Sequence, residues 1–333
     1  MKFLEKYKIP KNVTIVCDWF EVSGEAQEMF LFNAPEGEFE TNSTFTNFIN
    51  DNVAIVWQPA KGTSTYAKVF EIYIGAISFG KLFIEPRMTT LDKKRVNVQV
   101  NNEWLYTEAW YLNFETVIEA LKIKITNISR MDVAVDGCNQ ILEFVTHYIK
   151  QTIEKQTVIK VGQAKLSPFK MNDKTFEFET INLGSRRSDK FCVIYHKSKE
   201  LKRHNSKQYI KDFWYRNGIG EKVLVNGIEC YEGQDDVNRV EMRFSNKYLE
   251  HFPELINDMS VCQDPHKLAT LFFRASERYF DFRLKTSTNV DKCKKLVLIP
   301  TDILRSSYLT KIEIPVRDYL FATKVGLKAN TLF

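Results

Sequence analysis

LGSRRSDKFCVIYHKSKE, residues 183 to 200, reads as a glycine-serine turn and an arginine pair running into a β-strand that sets Tyr195 beside Lys197. Strand periodicity from Lys190 to Lys197 puts Phe191, Val193, Tyr195 and Lys197 on one face. Two other strand-like segments bracket this stretch along the chain, ISRMDVAVDG at 128–137 and NRVEMRF at 238–244, and each carries carboxylates among its apolar residues. Further alternation occurs in VTIVCDWFEV (13–22), EMFLFNA (28–34), AKVFEIYIG (67–75) and RVNVQVN (95–101). These segments predict antiparallel strands, closed by one more strand at 176–183.

Helical spacing predicts an amphipathic helix over 113–122, with Phe114, Val117, Ile118 and Leu121 inward, and a second over 139–155. The polar segment 198–216 predicts helix with a basic outer face, and Asn226-Gly227 predicts a two-residue hairpin. Residues 265–284 predict a helix opened by Asp264 as N-cap and Pro265 at the first helical position. The expected fold class is α+β: a main domain over 1–250 built on an antiparallel β-sheet with packed helices, and a more helical C-terminal region over 251–333.

A chain of 333 residues, 44% of them hydrophobic, can bury a large core. It holds no apolar run of membrane-spanning length, and the start MKFLEKYKIPKN has no signal-peptide core, so a cytoplasmic protein with no membrane partner is expected. Six cysteines without a C-x-x-C pair read as reduced thiols, and five histidines without H-x-H or H-E-x-x-H offer no histidine-ligated metal. G-x-x-x-x-G-K-[ST] and G-x-S-x-G are both absent. The net charge of +5 is concentrated: ten basic residues against three acidic ones give 183–216 a charge of +7, leaving −2 for the rest. Such a stripe suits a polyanion bound at one place, and equally a solvated helix face.

In RMDVAVD, Arg130, Asp132, Ala134 and Asp136 alternate with Met131, Val133 and Val135, so two carboxylates stand about 7 Å apart on one face. In RVEMR, Arg239, Glu241 and Arg243 share a face in the same way. Two readings fit: oxygen ligands for a divalent cation, or an arginine–carboxylate ladder between strands. A tyrosine hydroxyl ionises near ~10, so attack on phosphorus at neutral pH needs a cation, metal or base beside it. Lys197, Arg186 and Arg187 are candidates for that help, while the plain alternative for Tyr195 is a half-buried strand residue. Tyr209, Phe213, Trp214 and Tyr215 interleave with the basic segment as bases would require for stacking, or as a helix requires for its buried face.

The order of these motifs, D-W-F at 18–20, R-x-D-x-A-x-D at 130–136, G-S-R-x-S-D-x-F-x-x-I-Y-x-K at 184–197 and R-x-E-x-R at 239–243, resembles the replication initiation factor family. That family comprises rolling-circle replication initiators of small Gram-positive plasmids and related proteins of filamentous and other single-stranded DNA phages. The resemblance covers roughly residues 13–248 and implies metal-dependent nicking of one strand at an origin, a 5′-phosphotyrosine intermediate and a free 3′-OH primer. It puts the nucleophile at Tyr195, assisted by Lys197, and Mg²⁺ or Mn²⁺ at Asp132 and Glu241, with Asp136 and Asp18 as further ligands. Arg186, Arg187, Lys190, Lys199, Lys202, Arg203, Lys207 and Lys211 become the DNA-binding residues. The implied partners are origin DNA, double-stranded and single-stranded or hairpin, a host helicase and polymerase, and a second copy of the chain, in the bacterial cytosol. His196 stands where many relatives have Asp or Asn, and the segment after Glu200 is long before R-x-E-x-R. A regulator of the same fold that binds an origin or hairpin without cutting is the alternative.

Overall fold

The computed structural model describes residues 13–28, 45–57, 62–88, 90–137, 146, 149, 157–161, 166–171, 178–203, 207–226, 228–276 and 279–296. The strand expected at 28–34 and the helix at 139–155 lie almost wholly outside these residues. The fold is α+β, with large antiparallel sheet structure. Two compact units make it up. The first is drawn from Val16–Asp132 and Arg243–Gln263, and the second from Met1–Ile15, Val133–Met242 and Asp264–Phe333. The sequence-based division at residue 250 does not coincide with these units, because strands β1 (Val13–Ala26), β7 (Ile123–Gly137) and β14 (Asn238–Ser245) each contribute residues to both.

In the first unit β2 (Phe45–Phe48), β3 (Val53–Trp57), β4 (Tyr66–Ile74), β5 (Ile77–Pro86) and β6 (Arg95–Val100) follow one another as sheet neighbours, then β1 and β7. The register runs antiparallel from β2 to β6, and β6 pairs with β1 through Val22↔Val98. After the short helix α1 (Asn102–Leu105), helix α2 (Trp110–Ala120) buries Trp110, Phe114 and Val117, three residues on one helical stripe. Phe20 of β1 meets Trp110 edge-on at 5.2 Å and Phe114 at 5.3 Å, giving the sheet and helix a common aromatic core. The helix starts three residues before the sequence predicts, since Trp110 extends the apolar stripe by one turn. It ends at Ala120, and two residues on, Lys122 takes a left-handed φ of 51°.

In the second unit the sheet order is β7, β14, β11 (Lys190–His196), β10 (Phe178–Leu183) and β9 (Leu166–Met171). Strand β10 pairs antiparallel with β11, setting Thr180 opposite Tyr195. Helices α3 (Lys197–Lys202) and α4 (Gln208–Arg216) follow β11, and the hairpin β12 (Glu221–Val225) to β13 (Ile228–Glu232) closes at Asn226, with Val225 opposite Ile228 as N-G predicts. Trp214 of α4 and Ile181, Ile194, Val240 and Met242 of the sheet are fully or almost fully buried. The short helices α5 (Asn246–Leu249) and α6 (Glu254–Asn257) belong to the first unit, and α7 (Pro265–Ser276) to the second. Asp264 caps α7 through the His266 amide at 2.8 Å.

The helical pattern of 265–284 overruns the helix. Beyond Ser276 the chain forms β15 (Phe282–Leu284), which pairs antiparallel with β8 (Val158–Lys160) and with β16 (Lys294–Leu296), so a small sheet takes residues that helical periodicity alone would have kept. The described cysteines are free thiols, and among the described residues no helix is long and apolar enough to cross a membrane.

Candidate functional site

Strand β11 ends at His196, and the reason is local. The His196 imidazole accepts a hydrogen bond from the Lys199 amide at 3.3 Å and so caps a new helix, α3, whose first residue is Lys197. Burial, and then the charge of Lys199, draws the His196 pKa below its usual value, which keeps the imidazole in its accepting form. Lys197 therefore does not continue the strand as expected. Its side chain folds back instead, only 3% exposed, and its ammonium donates to the Tyr195 hydroxyl at 3.4 Å. Ser198, also buried, accepts from the Val237 amide at 3.0 Å and so moors α3 to the chain just before β14.

Glu241 of β14 is half-buried, and its carboxylate accepts the Tyr195 hydroxyl proton at 3.2 Å. The phenol thus sits between an acceptor and a cation, and the Lys197 nitrogen also lies 5.5 Å from the ring centre. On its other side Lys197 pairs with Glu200, three residues along α3, whose second oxygen takes Lys207 at 2.6 Å. Burial would raise the Glu200 carboxyl, but Lys197, and behind it Lys207, outweigh that and hold it down at about 2. Glu200 was not singled out from the sequence, although the i, i+3 spacing of Lys197 and Glu200 at a helix start was a usable signal.

Asp136 lies inside the core: β7 is buried at every position from Met131 to Gly137. The face that alternation shares between Asp132 and Asp136 is not open to solvent at Asp136. Its two oxygens take the Arg239 guanidinium at 2.6 Å each, and the Trp214 indole donates to one of them at 2.8 Å. Both charged side chains are 0% exposed. The arginine–carboxylate reading holds at this position, and Trp214 is core, not a base-stacking surface.

Within the first unit, Asp132 is chelated by Arg130 of its own strand and faces Arg243 at 3.5 Å. Burial raises its pKa, with the two guanidinium groups pulling the other way and Asp18 adding to the rise. The Arg130 guanidinium lies 4.2 Å from the Trp19 ring centre. Asp18 accepts the Tyr106 hydroxyl. Among the described residues no three His, Cys, Asp or Glu side chains group as a metal site. Asp132 and Asp136 already hold guanidinium groups, so as arranged these two carboxylates do not fit a divalent ion.

The basic residues separate into two kinds. Arg186, Arg187 and Lys199 are exposed. Lys202 and Arg203 are exposed but pair with Asp235 at 2.7 Å and Glu179 at 3.5 Å; Lys207 is committed to Glu200, and Lys211 is half-buried. Lys190 donates to the Ala275 carbonyl at 3.0 Å, while the Tyr279 hydroxyl donates to the Lys190 carbonyl at 2.7 Å. These bonds tie the arginine turn to α7 and the residues after it. Gly184 opens that turn at φ 85°, and a Cβ there would lie 3.2 Å from the Tyr279 hydroxyl oxygen.

No protein-family model and no curated protein sequence matches this chain. Among solved structures it is similar to the rolling circle replication initiator protein from Geobacillus stearothermophilus, with a TM-score of 0.49 and 14% identity over 88% of this chain and 97% of that one.

Proposed function

We propose that the chain is a tyrosine-dependent DNA nickase and strand transferase that initiates rolling-circle replication at an origin. The observation that carries this reading is the Tyr195 hydroxyl held between the Glu241 carboxylate and the Lys197 ammonium. A phenol so placed has a proton acceptor and a counter-cation within hydrogen-bond reach, the two things it lacks in water. In the forward step the Tyr195 oxygen attacks the scissile phosphorus as its proton passes to Glu241. The P–O3′ bond breaks, the departing 3′ oxygen takes up a proton to become the primer hydroxyl, and a 5′-phosphotyrosine remains. Joining is the reverse, with Glu241 returning its proton to the leaving phenolate. Lys197 offsets charge at the phenolate and the adjoining phosphoryl oxygens. Arg186, Arg187 and Lys199 meet the backbone phosphates. The motif order in the sequence supports an origin as the target.

The test uses supercoiled DNA carrying the gene and its flanking segments, incubated with native protein and with Tyr195→Phe, in Mg²⁺, in Mn²⁺ and in chelator. The expected result is a nicked circle and a covalent protein–DNA adduct with native protein, and neither with the variant, while DNA binding survives. A non-cleaving origin- or hairpin-binding regulator is the second reading, favoured by the guanidinium groups that occupy Asp132 and Asp136. Intact DNA with native protein under every metal condition would establish it. Cleavage that persists in Tyr195→Phe without adduct would instead mean hydrolysis by the carboxylates.

A further inference from the structure

We propose that Glu200 is a positioning residue that holds the Lys197 ammonium on the Tyr195 hydroxyl, and that Lys207 holds Glu200 in turn. The inference deepens the tyrosine-nickase reading and rests on it. Lys197 has a long, flexible side chain with several rotamers, and its ammonium contacts the phenol oxygen at only 3.4 Å, a weak bond by itself. Glu200 supplies the stronger constraint: it pairs with the same ammonium from one helical turn away, and its other oxygen is anchored by Lys207 at 2.6 Å. A carboxylate held ionised to about 2 keeps this clamp charged at any working pH. Its location also fits, since Lys207 is the N-cap residue of α4 and Glu200 lies in α3, so the clamp spans the two helices that follow the tyrosine strand. In this proposal Glu200 acts through Lys197.

The experiment compares native protein with Glu200→Gln, Glu200→Asp and Lys207→Met in two measurements. In single-turnover nicking, Glu200→Gln is expected to slow adduct formation by about ten- to a hundredfold, the usual cost of a misplaced catalytic group, with DNA affinity little changed. Glu200→Asp recovers part of the rate, and Lys207→Met loses less than Glu200→Gln. A merely structural role would instead lower affinity and folding together and would not respond to Asp. The second measurement needs no nicking: acylation of Lys197 by an amine-reactive ester, read by peptide mass spectrometry, is expected to rise several-fold in Glu200→Gln. A native rate in Glu200→Gln, or unchanged Lys197 acylation, overturns the proposal. If native protein forms no adduct, the nickase reading fails on its own, and the acylation result alone decides whether Glu200 governs Lys197.

Discussion

Asp136–Arg239 and Glu200–Lys197 are both carboxylate–cation pairs of the second unit, yet their surroundings differ. Asp136 and Arg239 are sealed at 0% exposure, with bidentate geometry and an indole completing the carboxylate. Glu200 keeps 27% of its side chain in solvent and shares its charge between two lysines. A sealed bidentate pair has one arrangement and holds strands β7 and β14 in register. In the partly open pair Lys197 is buried while Glu200 and Lys207 keep contact with solvent, which screens their charges. Sequence chemistry is the same in both; what differs is which element covers them.

The largest effect that can sharpen this contrast is functional. Tyr195→Phe is expected to lower adduct formation by at least ~10³-fold, as removing a nucleophile does, with little change in the urea midpoint. Arg239→Met should do the reverse at the sealed pair. Breaking a buried ion pair from one side strands a charge and costs about 3–5 kcal/mol, readable by urea denaturation. Asp136→Asn added to Arg239→Met removes the stranded charge and keeps an acceptor for Trp214, and most of the loss should return. Failure to recover would mean that the pair does more than neutralise itself.

The same contrast marks what could be read from the chain. Alternation put Tyr195 on one face of β11 and Glu241 on one face of β14, because period-two patterning survives into any sheet, but it gave neither the adjacency of the two strands nor the hydrogen bond between them. It could not tell Asp136 from Glu241, since periodicity assigns a face and says nothing of what covers that face. Trp214, which covers Asp136, lies 78 residues further along. Lys197 was misplaced on the strand because its helix begins with a histidine cap, a weak signal beside the strong β pattern before it. Helix α7 was overextended because β15 is held by its partners β8 and β16, which local spacing does not register.

Exposed basic residues come next in size. If four to six phosphates are neutralised, log affinity should fall with log salt at a slope of roughly −3 to −5. Replacing Arg186, Arg187 and Lys199 by Ala should flatten that slope by roughly 2 to 3, whereas replacing Lys202 and Arg203, already paired with Asp235 and Glu179, should change it by less than about 1. Gly184→Ala tests the turn that presents the arginine pair. Its left-handed φ and the nearby Tyr279 oxygen should cost about 1–2 kcal/mol by urea denaturation, with the arginine contribution to the salt slope reduced as well.

The smallest effect distinguishes the open pair by pH. Glu200 has its folded pKa lowered to about 2 from an ordinary 4.5, so its pairing stabilises the fold fully above about 4.5 and loses that contribution as pH falls from there through about 2. Asp132, raised by burial, has the opposite sign: its ionised form is the costly one, and protonation on acidification relieves the cost. The stability gap between native protein and Glu200→Gln should therefore be present at neutral pH and close by about pH 2, measured as urea midpoints along the series. Partial exposure of Glu200 screens its charges, so the gap should be small beside that of Arg239→Met. A gap that stayed constant across the acid range would show that Glu200 contributes by packing and not by charge, and would place it with the sealed pair instead of the open one.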